Sequence, residues 1–360
     1  MWNKLIKKLR FQPNVSLQNC AANSVVKPEF GCLGITDNCM LRCKMCRKWQ
    51  PDIFIDKKDF NSFPTVEQYR YFLSGLKEVV DREFVLNFGG GEALLFPHIY
   101  EVIEIASSLG LRTNLNSNGY LIGKDVAKKL SDSGLQNIKL SLDSLDPKTH
   151  DYMRGVEGVY SRVMEAIDNL HDFAPGIRLS LISVIYEQTY RGFIPLMEWI
   201  NANEKIEHVL VMVAMQPNNT ALEEQWWEGE HGFLWPKNKN DIDALLDELI
   251  KMKQAGYKIN NSAAQLRAAK EYFKNPGKFV KKTVCNMYKA VHVSSIGQIF
   301  LCFNHGLLGD VRDGSDIQKI WYSQEAEEIR RKIKTCKKNC HFLINCFFEE
   351  DEIIQKTQSL

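Results

Sequence analysis

The sequence predicts an α/β protein: a partial (β/α)6 TIM-type barrel followed by a small C-terminal unit made of a β-hairpin plus a helix. Apolar runs of strand length alternate with segments of helical period between residues 30 and 215, which is the pattern of parallel β/α units. Six strands can be counted in that stretch, fewer than the eight that close a barrel. Beyond it, Ala290 to Leu301 reads as a hairpin turning at Gly297, and the charged stretch Ile317 to Lys334 reads as a helix.

The elements follow in order. Cys32-Leu33-Gly34-Ile35 is a short strand ending at Asp37-Asn38. Thr65 to Asp81 is a helix with Thr65 as N-cap and Glu67 in its first turn, and Glu83 to Phe88 is the next strand. Helix Pro97 to Leu109, strand Leu111 to Leu115 and helix Lys124 to Ser133, closed by Gly134, come next. Strand Asn137 to Leu142, a helical region through His171, and strand Ile177 to Tyr186 follow, then helix Phe193 to Asn201 and strand His208 to Met215. Gln216 to Asn240 is irregular and contains Trp226-Trp227; a loop of that length is usually a lid or binding loop, and a plain packing role for the two tryptophans stays open. Asp241 to Gly256 is an amphipathic helix. The expected divisions are 1–29, an N-terminal extension; 30–240, the barrel; 241–280, a helical linker; 281–350, the C-terminal unit; and 351–360, a tail.

Composition narrows the class. A chain of 360 residues that is 44% hydrophobic and 25% charged is an ordinary globular protein, and a net charge of +2 argues against a dedicated nucleic-acid binder. Met1 to Phe11 is basic, with Trp2, Leu5, Ile6 and Leu9 at helical spacing, but it lacks the apolar core and cleavage site of a signal peptide. No apolar run is long enough to span a bilayer. Ten cysteines in so long a chain, eight of them in two tight groups, point to metal ligation in a reducing cytoplasm rather than to a disulfide framework.

The first group is Cys39, Cys43 and Cys46, three thiols within eight residues at a strand end. A cubane iron-sulfur cluster has four irons, so three cysteines leave one iron open to a small molecule. The same spacing would also place the thiols on one helical face, but Arg42, Lys44, Arg47 and Lys48 make the segment a poor core stripe. Site residues of a parallel barrel gather at the carboxyl ends of its strands. There the sequence carries Gly89-Gly90-Gly91-Glu92, Asn116-Ser117-Asn118-Gly119 and Ser141-Leu142-Asp143-Ser144. A glycine run lets backbone approach a ligand, and a carboxylate accepts from a cationic amine, although such a run also suits a simple turn. On the fourth strand Lys139, Ser141 and Asp143 share one face, with helix capping as the other reading of Asp143.

The C-x3-C-x2-C spacing resembles the signature of the radical S-adenosylmethionine superfamily. The resemblance implies a 4Fe-4S cluster on Cys39, Cys43 and Cys46 whose open iron is chelated by S-adenosylmethionine, with reductive cleavage to a 5'-deoxyadenosyl radical that abstracts hydrogen from a substrate. It further implies that Gly90, Gly91 and Glu92 receive the methionine amino group and that Ser141 and Arg154 hold its carboxylate. Asn116, Ser117 or Asp143 would stand near the ribose, and Met45 takes the position beside the adenine. A reductant such as flavodoxin or ferredoxin would be the partner.

The second group is Cys285, Cys302, Cys336, Cys340 and Cys346, which supplies one four-cysteine site with one thiol to spare. Cys285, Gly297 and Cys302 resemble the C-x9-15-G-x4-C element of the C-terminal SPASM and twitch extensions, implying an auxiliary 4Fe-4S cluster on Cys285, Cys302 and two of the other three. Three residues rather than two separate Cys336 from Cys340, and Glu350 replaces a later cysteine, so a second auxiliary cluster is not expected. A structural zinc site is the other use of such a set. Cys20 and Cys32 fit no pattern and read as ordinary thiols. Phe303 stands where sulfatase-maturing relatives carry an aspartate, which disfavours that oxidation. With only about thirty residues before the first strand and no leader-gripping domain, the sequence favours a small metabolite as substrate. Peptide modification, and a non-catalytic iron-sulfur or zinc-binding accessory role, are the alternatives.

Overall fold

The computed structural model describes residues 26–49, 63–217, 220, 223–280 and 285–345. The basic N-terminal helix, Cys20 and Cys346 therefore lie outside the described residues. The chain alternates strand and helix as expected: β1 (Phe30–Thr36), α1 (Val66–Val79), β2 (Val85–Gly90), α2 (Ile99–Ser108), β3 (Arg112–Ser117), α3 (Lys124–Asp132) and β4 (Asn137–Ser141). Then come α4 (Pro147–Arg154), α5 (Val159–Phe173), β5 (Arg178–Ile185), α6 (Phe193–Ala202) and β6 (His208–Val213). The remainder is α7 (Lys239–Gln254), α8 (Ala263–Lys274), β7 (Ala290–Val293), β8 (Gln298–Phe300), β9 (Gly309–Asp310), α9 (Ile317–Trp321), α10 (Gln324–Thr335) and α11 (His341–Asn345).

Thr65 caps α1 as expected, accepting from Gln68 N while the Gln68 side chain returns to the Thr65 N–H, a complete capping box. The helical region through His171 is two helices, because Gly155 and Gly158 both take left-handed backbone between α4 and α5. The stretch Ile317 to Lys334 is likewise divided, Ser323 capping Ala326 N to start a new helix. Helix α8 falls within 241–280, the stretch expected to be a helical linker.

The six barrel strands are all parallel, in the order β6-β5-β4-β3-β2-β1. The C-terminal hairpin continues this sheet: β7 pairs in parallel with β1, and β8 and β9 follow antiparallel. Beyond β6, Ile259 makes an isolated parallel bridge to Val209, so the stretch after α7 extends the sheet by a single residue.

Buried apolar residues alternate with smaller or more polar ones along β1 to β5. Leu33, Ile35, Leu86, Phe88, Ile138, Leu140, Leu179 and Leu181 join the core with the helices. The opposite face lines the interior. There Cys32, Asn87, Asn114 and Asn137 stand in one lateral row, and Asn116, Lys139, Ser180 and His208 in the next. Nearer the carboxyl ends of β5 and β6 the same face is apolar, with Ile182 beside Leu210 and Val184 beside Met212.

Candidate active site at the carboxyl ends of the strands

Because the strands are parallel, the cysteine loop, the glycine run and the ends of β3 and β4 all come to one end of the sheet. The loop is held there by backbone. Gly91 N donates to Thr36 O at 2.7 Å, and Glu92 N to Asn38 O at 2.7 Å. A Cβ at Gly91 would stand 2.3 Å from Asn38 O, so only glycine lets the two loops come this close. From the other side Arg42 N donates to Arg154 O at 3.1 Å and Lys44 N to Met153 O at 2.9 Å, so the last carbonyls of α4 grip the loop between its cysteines.

Glu92 is wholly buried, and its carboxylate accepts from Leu94 N (3.2 Å), Ser117 Oγ (3.0 Å) and Asn118 N (2.8 Å). Burial raises its pKa against the pull of these donors. In this arrangement both Glu92 and Ser117 brace the ends of β2 and β3 to each other. Asn116, on the other face, is half-buried and accepts from Asn114 Nδ2 at 3.0 Å. Asn114 also donates to Asn87 Oδ1 at 2.8 Å, while its own Oδ1 is buried without a partner.

Asp143 does not cap the helix that follows; Asp146 does, accepting from Thr149 N at 3.0 Å. Asp143 instead pairs with Arg154 at 2.6 Å, with side-chain exposures of 0% and 10%. Its other oxygen accepts from Val184 N at 3.1 Å, and its N–H donates to His150 Nδ1 at 3.3 Å. Burial, then Arg154, pushes His150 down to about 3, so it is neutral. Burial opposes the charge of Arg154, but Asp143, Cys43 and Tyr186 outweigh it and keep the guanidinium ionised. Arg154 Nε is buried without a partner, a donor free for an anionic group. Ser141, at the end of β4, and Met45, inside the loop, are both half-buried.

Cys39, Cys43 and Cys46 are free thiols; burial raises the pKa of Cys39 and of Cys43, and the nearness of Cys46 adds to both. Burial pushes Cys43 up to about 11, with Arg154 pulling the other way. Asn118 Nδ2 lies 3.4 Å from Met40 Sδ and 3.9 Å from Cys39 Sγ. Tyr186 was missed from sequence. It follows β5, is buried, and has a pKa raised by burial and by Asp143, with Cys43 and Cys46 also acting on it. Its place at a strand end was the available signal. Trp226 is buried and packs edge-on against Trp235 at 5.5 Å, which meets Tyr272 and Phe273, so that residue is part of the core.

The second cysteine group gathers at the other end of the sheet. The hairpin turn points toward the cysteine loop, where Ser295 Oγ donates to the Asp37 carboxylate. Cys285 precedes β7 and Cys302 follows β8, level with Phe30 at the start of β1. Burial pushes Cys302 up to about 11, reinforced by the thiols of Cys340, Cys285 and Cys336, so the four described cysteines converge. Among the described residues no group of His, Cys, Asp or Glu is arranged to grip a single metal ion.

A parallel β/α sheet that brings three thiols and a buried arginine to its carboxyl edge is the scaffold of a cofactor-dependent enzyme. Residues 33–200 match the family model of the Radical SAM superfamily. The chain is similar to AdoMet-dependent heme synthase of Methanosarcina barkeri, at 24% identity over 341 residues, covering 85% of this chain and 88% of that protein. It is also similar to GTP 3',8-cyclase of Haemophilus influenzae, at 27% over 308 residues and 82% of each chain. Among solved structures, anSMEcpe with bound AdoMet aligns with a TM-score of 0.61 at 16% identity over 86% of both chains. Streptococcus suis SuiB bound to S-adenosylmethionine aligns with a TM-score of 0.63 at 18% identity, over 89% of this chain and 72% of that one. At such identities these two show the fold alone. The chain carries a Radical SAM superfamily domain over residues 33–200, a domain that implies a 4Fe-4S cluster and S-adenosylmethionine, and the relatives it matches over most of their length are enzymes.

Proposed function

We propose that Cys39, Cys43 and Cys46 ligate the 4Fe-4S cluster and that the protein acts on a small metabolite, with an auxiliary 4Fe-4S cluster in a SPASM/twitch-like unit held by Cys285, Cys302 and two of Cys336, Cys340 and Cys346. The observation that carries this is the convergence of two separate thiol groups at opposite ends of one polar-lined sheet. When bound, the first cluster and S-adenosylmethionine supply a 5'-deoxyadenosyl radical.

The residues of this chain orient and shield. Gly90 and Gly91, braced by Glu92, offer backbone to the methionine amino group, and Arg154 with Ser141 holds the carboxylate, the free Nε of Arg154 being the available donor. Asn116, Ser117 or Asp143 serves the ribose and Met45 the adenine. Between the two thiol groups the interior is polar at Asn87, Asn114 and Asn116 and apolar at Ile182, Val184, Leu210 and Met212, which suits a small molecule with both kinds of surface. Relatives matched over most of their length are named for heme synthesis and GTP cyclisation, which supports a small molecule over a peptide. A flavodoxin or ferredoxin would supply the electron.

Anaerobic reconstitution tests the reading. About eight irons per chain are expected if both groups hold cubane clusters, and about four if only one does. Replacing Cys43→Ala should abolish release of 5'-deoxyadenosine under dithionite, whereas Cys302→Ala should spare it and lower the iron count by about four. A zinc-loaded second site, or a fully reconstituted protein that never releases 5'-deoxyadenosine, overturns the proposal.

A further inference from the structure

The end of α10 and the residues after it present Arg331, Lys332, Lys334, Lys337 and Lys338, five exposed cations in eight residues with no carboxylate among them. Among the described residues none of the five takes part in an ion pair; the salt bridge of this helix, Arg330 with Glu327, lies upstream of them. A helix dipole favours cations in its last turn, which accounts for Lys332 and Lys334. It does not account for Lys337 and Lys338, which stand beyond the helix and flank the half-buried Cys336 and Cys340. Lys278, also exposed, is tied to the same place, since Asn339 Nδ2 donates to Lys278 O at 2.7 Å and to Pro276 O at 2.8 Å.

An apolar tip adjoins this charge. On the loop leaving Cys302, Phe303 is 64% and Leu307 51% exposed. Lys334 Nζ lies 4.7 Å from the centre of the Tyr288 ring, just before β7, and the loop leaves from β8, the antiparallel partner of β7, so the loop and the cations share one end of the hairpin. A small apolar centre with a charged surround is the make-up of a transient interface, in which charge steers approach.

We propose that this face docks an acidic electron-transfer protein that carries its redox cofactor at its own surface. The inference rests on the auxiliary cluster proposed above. Partner cofactor and cluster exchange one electron, one being oxidised as the other is reduced, with no bond made or broken. A macromolecular substrate is a poorer occupant, because Cys302 lies at the amino end of β1 and the three-thiol loop at its carboxyl end.

The test uses reconstituted holoenzyme and an acidic flavodoxin as probe. Calorimetry gives affinity, and stopped-flow absorbance follows oxidation of photoreduced flavodoxin at about 50 and 300 mM salt. Wild type should bind and react, losing about tenfold in rate at the higher salt, and K332E/K337E/K338E should be about tenfold slower at low salt with its iron count unchanged. Exposed lysines leave the fold intact, and K332Q/K337Q/K338Q should fall between the two. Equal rates and salt dependence in wild type and triple variant, with about eight irons in both, overturn the proposal. An iron count of about four in wild type instead removes the auxiliary cluster, while calorimetry still decides the surface: salt-sensitive binding lost in the triple variant supports it, and no binding overturns it. The sequence also holds an acidic run, Glu349-Glu350-Asp351-Glu352. If flavodoxin binds only after those four residues are neutralised, the chain's own run is the occupant and the proposal fails.

Discussion

Asn345 pairs its side-chain amide with the backbone of Val213: Val213 N donates to Asn345 Oδ1 at 2.9 Å, and Asn345 Nδ2 donates to Val213 O at 3.2 Å. Two residues back, Asn261 does the same to Val211, at 2.7 and 2.8 Å. Two further back, Val209 pairs with backbone on either side of Ile259, donating to Lys258 O at 2.8 Å and accepting from Asn260 N at 2.8 Å. The open edge of the barrel is thus satisfied by one residue of backbone and two side chains in place of a strand.

Asn345→Ala leaves the buried N–H and C=O of Val213 without partners, and the expected loss is about 2 kcal/mol or more in urea unfolding. Asn345→Leu should not recover it, because volume is not what the amide supplies. Recovery by leucine would show that packing alone anchors α11.

Arg154 and Asp143 form a buried ion pair, and removing either partner strands the other. Asp143→Asn and Arg154→Met should each cost about 3–5 kcal/mol, and the double variant should cost clearly less than their sum. Unfolding of the four proteins closes the cycle; simple additivity would mean that the pair is not energetically coupled. Arg154→Met should also weaken S-adenosylmethionine binding in the loaded enzyme, measured by calorimetry.

Two glycines separate strain from collision. Gly155 and Gly158 have φ of +70° and +80°, so alanine is strained at either, by about 1 kcal/mol. A Cβ at Gly158 meets nothing within 4 Å, whereas at Gly155 it stands 2.2 Å from Arg42 O. Gly155→Ala should therefore push the cysteine loop off α4 and lower iron on the first site, while Gly158→Ala loses only stability. Iron analysis after reconstitution distinguishes them, and equal iron in both variants would remove the clamp from the account.

Much of this was legible in the sequence. Leu33, Leu86, Leu115, Ile138, Leu181 and Val209 announce strands because buried apolar residues there alternate with smaller or more polar ones, and the helical segments between them make the strands parallel. The thiol groups declared themselves by spacing, and the strand-end rule put Gly90, Asn116 and Ser141 at one end of the sheet. The edge devices were not legible: Asn261 and Asn345 are single polar residues whose partners lie 50 and 132 positions away. Nor was the pairing of β7 with β1, since the period of a four-residue strand says which side chains share a face but not which strand lies alongside. Glu92 illustrates a subtler gap. A carboxylate after a glycine run looks aimed at a ligand, yet here its oxygens accept from three groups of the chain itself.

His292 makes stability depend on pH. It is buried on β7, stacked on Phe300 at 5.4 Å, and its Nδ1 donates to Leu301 O at 2.9 Å, the carbonyl being able only to accept. Burial pushes its pKa down to about 4, against the lift from Leu301. In the unfolded chain the ring titrates near its ordinary value of about 6.5. Between these two values the unfolded state takes up a proton that the folded state refuses, so stability is full above about pH 6.5 and falls as pH drops toward 4. The loss from this one residue should approach about 1.4 kcal/mol per pH unit across that window. His292→Phe keeps an aromatic ring but removes the titration. Urea midpoints at pH 7, 5.5 and 4.5 should fall more steeply for wild type than for the variant, even though the variant is less stable at pH 7 for want of the Leu301 hydrogen bond. Parallel curves would mean that His292 is protonated in the fold, and that its neutral form, donating from Nδ1 at the base of the hairpin, is wrong.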